Sequence, residues 1–208
     1  FGAVLGAGGD PPPPPMAFVA FGGRNGTGDC VSTLWVGMED RQSAAAVVWH
    51  ELPITAAAAP PAREGAAAFV SPDGRRIIIV GGNDDQTVFG DAWAYDIRAG
   101  KWAPFATVGV PLGPRTYAAA ARIGDRAYFY GGLPANSVLE VPEQLRWLDL
   151  GTGATGGALS STYPYLRPRD GAAMAVSADS SLLVYGGSDA TGWHNDLWEF
   201  DPTLGLWW

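Results

Sequence analysis

Short apolar runs, each closed by a pair of glycines, recur four times along the chain. Met16 to Phe21 precedes Gly22-Gly23, Ile77 to Val80 precedes Gly81-Gly82, Ala127 to Tyr130 precedes Gly131-Gly132, and Leu182 to Tyr185 precedes Gly186-Gly187. Runs of this length bounded by turn residues predict buried strands. A second run of small apolar residues lies upstream in every case: Gly2 to Leu5, Gly65 to Val70, Tyr117 to Ala120 and Gly171 to Val176. A polar turn separates the two runs in the last three units, as at Ser71-Pro72-Asp73-Gly74. Downstream, Trp93-Ala94-Tyr95-Asp96 and Trp198-Glu199-Phe200-Asp201 alternate as half-buried strands do. Each ends in an aspartate suited to opening a tight turn, and a second tryptophan follows at Trp102 and Trp207.

A period of about fifty residues is the mark of one supersecondary unit used several times. It predicts an all-β chain of one domain, residues 1–208, with four strands in each of four repeats: 1–63, 64–115, 116–169 and 170–208. Two repeats are irregular. In the third, Arg146-Trp147-Leu148-Asp149 carries its Trp one step late, so Leu145 aligns with Trp93 and Trp147 with Tyr95, and the run Gly151 to Gly157 reads as a flexible turn. In the first, Leu34-Trp35-Val36 takes the third-strand slot and Val47-Val48-Trp49 the fourth. Pro11 to Pro15 there predict a stiff polyproline-like loop.

The phasing resembles the kelch repeat. The matching elements are the four Gly-Gly doublets, the aromatic-x-aromatic-Asp strand end, the spaced second Trp, and the Pro-Arg that leads into the next unit at Pro114-Arg115 and Pro168-Arg169, with a looser Pro61-Ala62-Arg63. The resemblance covers essentially the whole chain. It implies a β-propeller in which each repeat is a four-stranded blade. On that reading the glycines and Trp93, Trp102, Trp198 and Trp207 are structural. Kelch domains usually have more than four blades, and the usual strand exchange between termini is missing here. The expectation is therefore a portion of a larger ring, completed by further blades or domains of the same chain.

Composition narrows the function. The chain is 47 % apolar and 16 % charged, with 29 glycines and 17 prolines, as suits an all-β repeat protein rich in turns. Its net charge of −8, with scattered basic residues, argues against nucleic acid as a partner. No run of eighteen apolar residues offers a membrane span. Cys30 is the sole cysteine, which fits a reducing, cytoplasmic compartment, while Asn25-Gly26-Thr27 is a glycosylation sequon pointing toward a secreted one. Catalytic signatures are missing. His50 and His194 have no neighbouring His or Cys to complete a zinc site, and there is no nucleophile elbow or Walker loop. Among enzymes that the resemblance brings in, copper oxidases need a Cys-modified Tyr and two His, and specifier proteins need a Glu-x3-Asp-x3-His iron motif. Neither set is assembled here. No cofactor, metal or catalytic residue is predicted.

Binding is the better reading. The resemblance places the loops after the doublets and the loops joining successive blades at one mouth. The first set supplies Arg24, Asn25, Asn83, Asp84, Asn136, Asp189, Trp193 and His194, and the second supplies Arg63, Arg115 and Arg169. Arg and aromatic residues dominate interface hot spots, so these residues are the candidate contacts for a protein partner. The insertions Arg24 to Ser32 and Ser137 to Gln144 are candidate partner-specific contacts. The expectation is a non-catalytic scaffold or adaptor, with an enzyme or ligand-binding propeller as the alternative.

Overall fold

The computed structural model describes residues 17–39, 47–54, 58–134, 145–158 and 166–208. Every regular element among them is a β-strand. They form four small antiparallel sheets, the blades of a β-propeller. Blade 1 holds β1 (Ala17–Phe21), β2 (Leu34–Glu39) and β3 (Val47–Leu52). Blade 2 holds β4 (Ala67–Val70), β5 (Arg76–Val80), β6 (Ala92–Asp96) and β7 (Lys101–Pro104). After the short β8 (Val108–Gly109), blade 3 runs through β9 (Ala119–Ile123), β10 (Arg126–Tyr130), β11 (Leu145–Asp149) and β12 (Ala154–Ala158). Blade 4 comprises β13 (Ala173–Val176) and β14 (Leu182–Tyr185), then a hairpin of β15 (Ser188–Asp189) and β16 (Gly192–Trp193), then β17 (Leu197–Asp201) and β18 (Leu206–Trp207). Neighbouring strands in each blade pair in chain order. Gly2 to Leu5 and the proline run fall outside the described residues.

The apolar runs are continuous because a middle blade has a neighbour on each face. In β5, Ile78 and Val80 face blade 3 and pack with Ala127, Phe129 and Leu148, while Ile77 and Ile79 face blade 1 and pack with Val19 and Leu34. Between blades 3 and 4, Tyr128, Tyr130 and Leu145 meet Leu182, Val184, Phe200 and Trp207. The second tryptophan of the repeat is a wedge in these joints. Trp102 stacks edge-on against Tyr95 of its own blade and Phe21 of blade 1, with ring centres 5.2 Å apart in both cases. Trp207 does the same against Tyr130 of blade 3 at 5.2 Å.

The doublets dock each blade on the connection that leads from it into the next. Both glycines have left-handed backbone, with φ of 68° and 95° at Gly81 and Gly82. Gly82 N donates to Arg115 O, as Gly23 N does to Arg63 O and Gly132 N to Arg169 O. A Cβ on Gly22, Gly81 or Gly131 would lie 2.1, 2.4 or 2.0 Å from that same carbonyl. Close approach and positive φ together therefore exclude any side chain.

Two expectations about blade 3 are corrected. Its third strand pairs so that Leu145 stands in the place of Ala92 rather than of Trp93, because Phe129 faces Arg146 as Ile79 faces Trp93. Arg146 then replaces Trp93, and Trp147 falls opposite Tyr128 rather than at the Tyr95 position. The run Gly151 to Gly157 is a turn only to Gly153; from Ala154 it is the fourth strand. Its glycines serve packing. A Cβ at Gly156 would sit 2.4 Å from the Trp147 ring, and one at Gly157 would sit 2.3 Å from Arg146 Nη1. Beyond β12, β8 adds a parallel fifth strand that staples the end of blade 2 to blade 3.

Candidate interaction rim

The three connection arginines are not surface contacts. Arg63, Arg115 and Arg169 are 0, 3 and 3 % exposed, so the expectation that they meet a partner at the mouth is corrected. They are internal struts. Arg63 Nη1 donates to Gly81 O at 3.0 Å, and its guanidinium grips both oxygens of Asp91 at 2.6 and 3.1 Å. Asp91 also accepts from Trp93 Nε1 at 2.7 Å. Arg169 repeats the set with Gly186 O at 3.1 Å, Asp196 at 2.5 and 3.2 Å, and Trp198 Nε1 on Asp196 at 2.7 Å. The Arg169 bond holds the Asp196 carboxyl at a pKa of about 2, with Trp198 helping against the opposing effect of burial. At Asp91 burial works to raise the carboxyl, and the Arg63 and Trp93 bonds outweigh it. Bidentate arginine–carboxylate pairs of this kind fix direction as well as distance.

Other candidates do gather on one rim. Arg24, in the loop after the first doublet, bonds Asp85 of the second loop, with Nη1 to Oδ2 at 2.9 Å, and Glu64 of the first connection at 2.5 Å. Its own loop supplies Gly28 O at 2.7 Å. The Arg24 bond pulls both Glu64 and Asp85 below the usual carboxylate range, and the Tyr117 hydroxyl adds to the effect at Glu64. Asn83 bridges to Glu64 through the backbone and accepts from Thr116 Oγ1 at 2.8 Å. Asp84 and Asn25 shape their own loops by accepting nearby backbone N–H groups. Asn136 and the insertion Ser137 to Gln144 lie outside the described residues.

Trp193 is the most exposed large apolar side chain of the described residues, at 89 %. Its hairpin is held rigid. Asp189 accepts from Thr191 N at 2.7 Å and Thr191 Oγ1 at 2.5 Å, bonds that set the Asp189 pKa at about 2. His194 Nε2 lies 3.0 Å from Asp189 Oδ2, at an angle poor for a hydrogen bond.

Sequence reasoning missed Tyr117 as a rim residue. It stands where the other connections carry Gly65 and Gly171, and it shares their left-handed backbone at φ 55°. Its N–H donates to Gly65 O and its carbonyl accepts from Gly171 N, both at 3.0 Å. Side chains rarely adopt that conformation, and strain of this kind concentrates at functional sites. The signal was available: alignment of the connections puts one Tyr in a glycine column. Tyr117 is 39 % exposed, and burial, with Glu64 adding to it, raises its hydroxyl to about 12. It edges a central cavity of about 460 Å³ lined by the small residues of β4, β9 and β13. Among the described residues no three His, Cys, Asp or Glu side chains come together to hold a metal.

Residues 15–208 match the KLHDC2/KLHL20/DRC7 Kelch-repeats domain. The chain is 29 % identical over 184 residues to host cell factor 1 of Rattus norvegicus, covering 77 % of this chain and 9 % of that protein, and equally so to its Homo sapiens counterpart. It is 25 % identical over 174 residues to the dynein alpha chain of the flagellar outer arm of Chlamydomonas reinhardtii, covering 76 % of this chain and 4 % of that one. The chain thus spans less than a tenth of the length of these relatives.

Proposed function

The chain belongs to the kelch-repeat family, and from that premise we propose that it is a non-catalytic interaction module that holds a protein partner on the rim around its central mouth. The observation that carries this reading is Trp193, an indole 89 % exposed on a hairpin braced by its own aspartate. An exposed Trp presented rigidly loses little entropy on binding and is typical of interface anchors. Tyr117 supplies a second aromatic on the same side, and the Arg24–Glu64–Asp85 network locks the loops beside it. The family setting supports the reading: the relatives are much longer chains, in which such a unit would serve as one docking element.

The test is affinity capture from the native source with wild-type chain and Trp193→Ala in parallel, followed by a binding isotherm for the partner obtained. Loss of that partner with the Trp193 variant supports the proposal. Equal capture by both places the contact elsewhere. A second reading rests on the central cavity, whose volume falls among those of small-molecule sites, roughly 300–1,000 Å³. A small molecule whose binding or turnover is lost on Ala120→Trp, which fills that cavity, would favour it over the scaffold.

A further inference from the structure

We propose that the end of blades 2 and 3 farthest from the rim is a second interaction face, one that takes a short acidic segment of a protein partner. The second strands fix which end this is. β5 and β10 begin at Arg76 and Arg126 and run toward the doublets at the rim. Five residues at about 3.3 Å each set the two ends roughly 16 Å apart, about two Debye lengths at physiological salt. Each end therefore presents its own charge. Arg75, Arg76, Arg98, Lys101, Arg122 and Arg126 all lie at the far end, six of the chain's thirteen basic residues. They are dispersed in sequence, and the turns bring them together. Ile97 N donates to Arg75 O, which lays the turn carrying Arg98 against the one carrying Arg75. Arg76 reaches across the joint to Gly151 O of blade 3 at 3.4 Å, and Arg122 reaches back to Val70 O of blade 2 at 2.8 Å.

These cations are not used up within the fold. The ion pairs of the described residues involve Arg24, Arg63, Arg169 and His194, and none of the six. The carboxylates at that end of the two blades are committed to their own turns. Asp73 accepts from Ser71 Oγ and Arg75 N, Asp96 from Ala99 N, and Asp149 from Gly151 N and Thr152 N. With Asp125 they make four carboxylates against six cations, on a chain whose net charge is −8. Three of the guanidiniums are also held in place. Arg76 and Arg126 lie over the Phe105 and Trp147 rings, 5.4 and 4.2 Å from their centres. Arg122 is tied by Nε to Gly124 O at 2.6 Å, leaving Nη2 without a partner among the described residues. A planar fork held on a ring or by carbonyls suits a carboxylate and loses little entropy on binding. The local excess of positive charge selects a short segment. A nucleic acid or an anionic bilayer would extend from this patch onto the acidic remainder of the surface and be repelled there, whereas a few Glu or Asp residues fit within it.

Fluorescence anisotropy of a labelled Glu-Ser repeat peptide, titrated with the 208-residue chain at physiological ionic strength, tests this, with a Gln-Ser peptide as the neutral control. Wild type should bind the acidic peptide saturably and leave the neutral one free. Arg75→Glu/Arg98→Glu, on two exposed turns, should weaken binding at least about tenfold at an unchanged melting temperature. Arg76→Gln/Arg122→Gln, which removes two of the held guanidiniums, should weaken it as well. Arg167→Glu reverses a charge at the rim end and should leave binding unchanged. No binding by wild type, equal binding of the two peptides, or wild-type affinity in the Arg75/Arg98 variant would overturn the proposal. Equal weakening by Arg167→Glu would do the same, because net charge and not this face would then hold the peptide. So would tighter binding of a single-stranded oligonucleotide or of phosphatidylserine vesicles in the same buffer, since the far end would then be a site for an extended polyanion.

Discussion

Single side chains here divide between wedges, struts and presented groups, and substitution should separate them. Trp102 is a wedge whose indole N–H has no acceptor among the described residues, so its contribution is area and shape. Trp102→Ala should destabilise by roughly 3–5 kcal/mol. Trp102→Phe should lose much less, because no hydrogen bond is broken; urea unfolding of the two variants checks this. Tyr117 is a presented group held at a backbone cost. Tyr117→Gly should leave stability level or slightly raised, since glycine adopts φ near +60° without strain, while weakening partner binding. A loss of several kcal/mol in the melting of that variant would mean the ring is a structural prop instead. At this scale the sequence was a partial guide. The doublets and tryptophans could be assigned from spacing alone. The arginines could not be placed, because the residue that decides their direction, Asp91 or Asp196, is remote in sequence and reads by itself as a turn aspartate.

Among elements, the struts linking the Arg63 and Arg169 connections to the third strands of blades 2 and 4 should make stability depend on acid. Asp196 has a folded-state pKa of about 2 against an ordinary 3.8, so its contribution is fully present above the ordinary value and is lost as pH falls from about 4 towards 2. Denaturant midpoints measured between pH 6 and pH 2.5 should fall more steeply for wild type than for Asp196→Asn. Parallel curves would show that the strut carries no net stabilisation. The elements themselves were legible where the apolar period was clean: β5, β6, β10, β14 and β17 lie on the runs that predicted them. They were misread where two changes coincided. The β11 register slipped by one because Trp147 looks like the repeat aromatic, whereas burial of Leu145 and Leu148 decides which residues face inward. The strand β12 was hidden by Gly156 and Gly157, which suggest a turn until the Trp147 and Arg146 side chains lying over them are seen. The parallel addition of β8 has no local signal at all.

At the scale of the molecule, the blades are stabilised by their neighbours, and the outer side of blade 4 contrasts with the joints between blades. Tyr185 and Leu197 occupy the positions of Val80 and Ala92, which are buried against blade 3, yet they are 54 and 62 % exposed. Gly186, unlike the other first glycines, has no carbonyl within 3.4 Å of its Cβ direction. Among the described residues nothing covers these two side chains, which leaves an apolar face. The 208-residue chain should therefore self-associate at micromolar concentration, and Leu197→Lys should shift it toward monomer in light-scattering measurements; a monodisperse wild-type monomer would contradict this. The central claim is that the rim holds a protein partner and the blades merely position it. Its most direct test is the affinity of the captured partner for Trp193→Ala measured beside the melting temperature of that variant. The variant should bind at least roughly 30-fold more weakly, equivalent to about 2 kcal/mol, at an unchanged melting temperature. Wild-type affinity in the variant would contradict it.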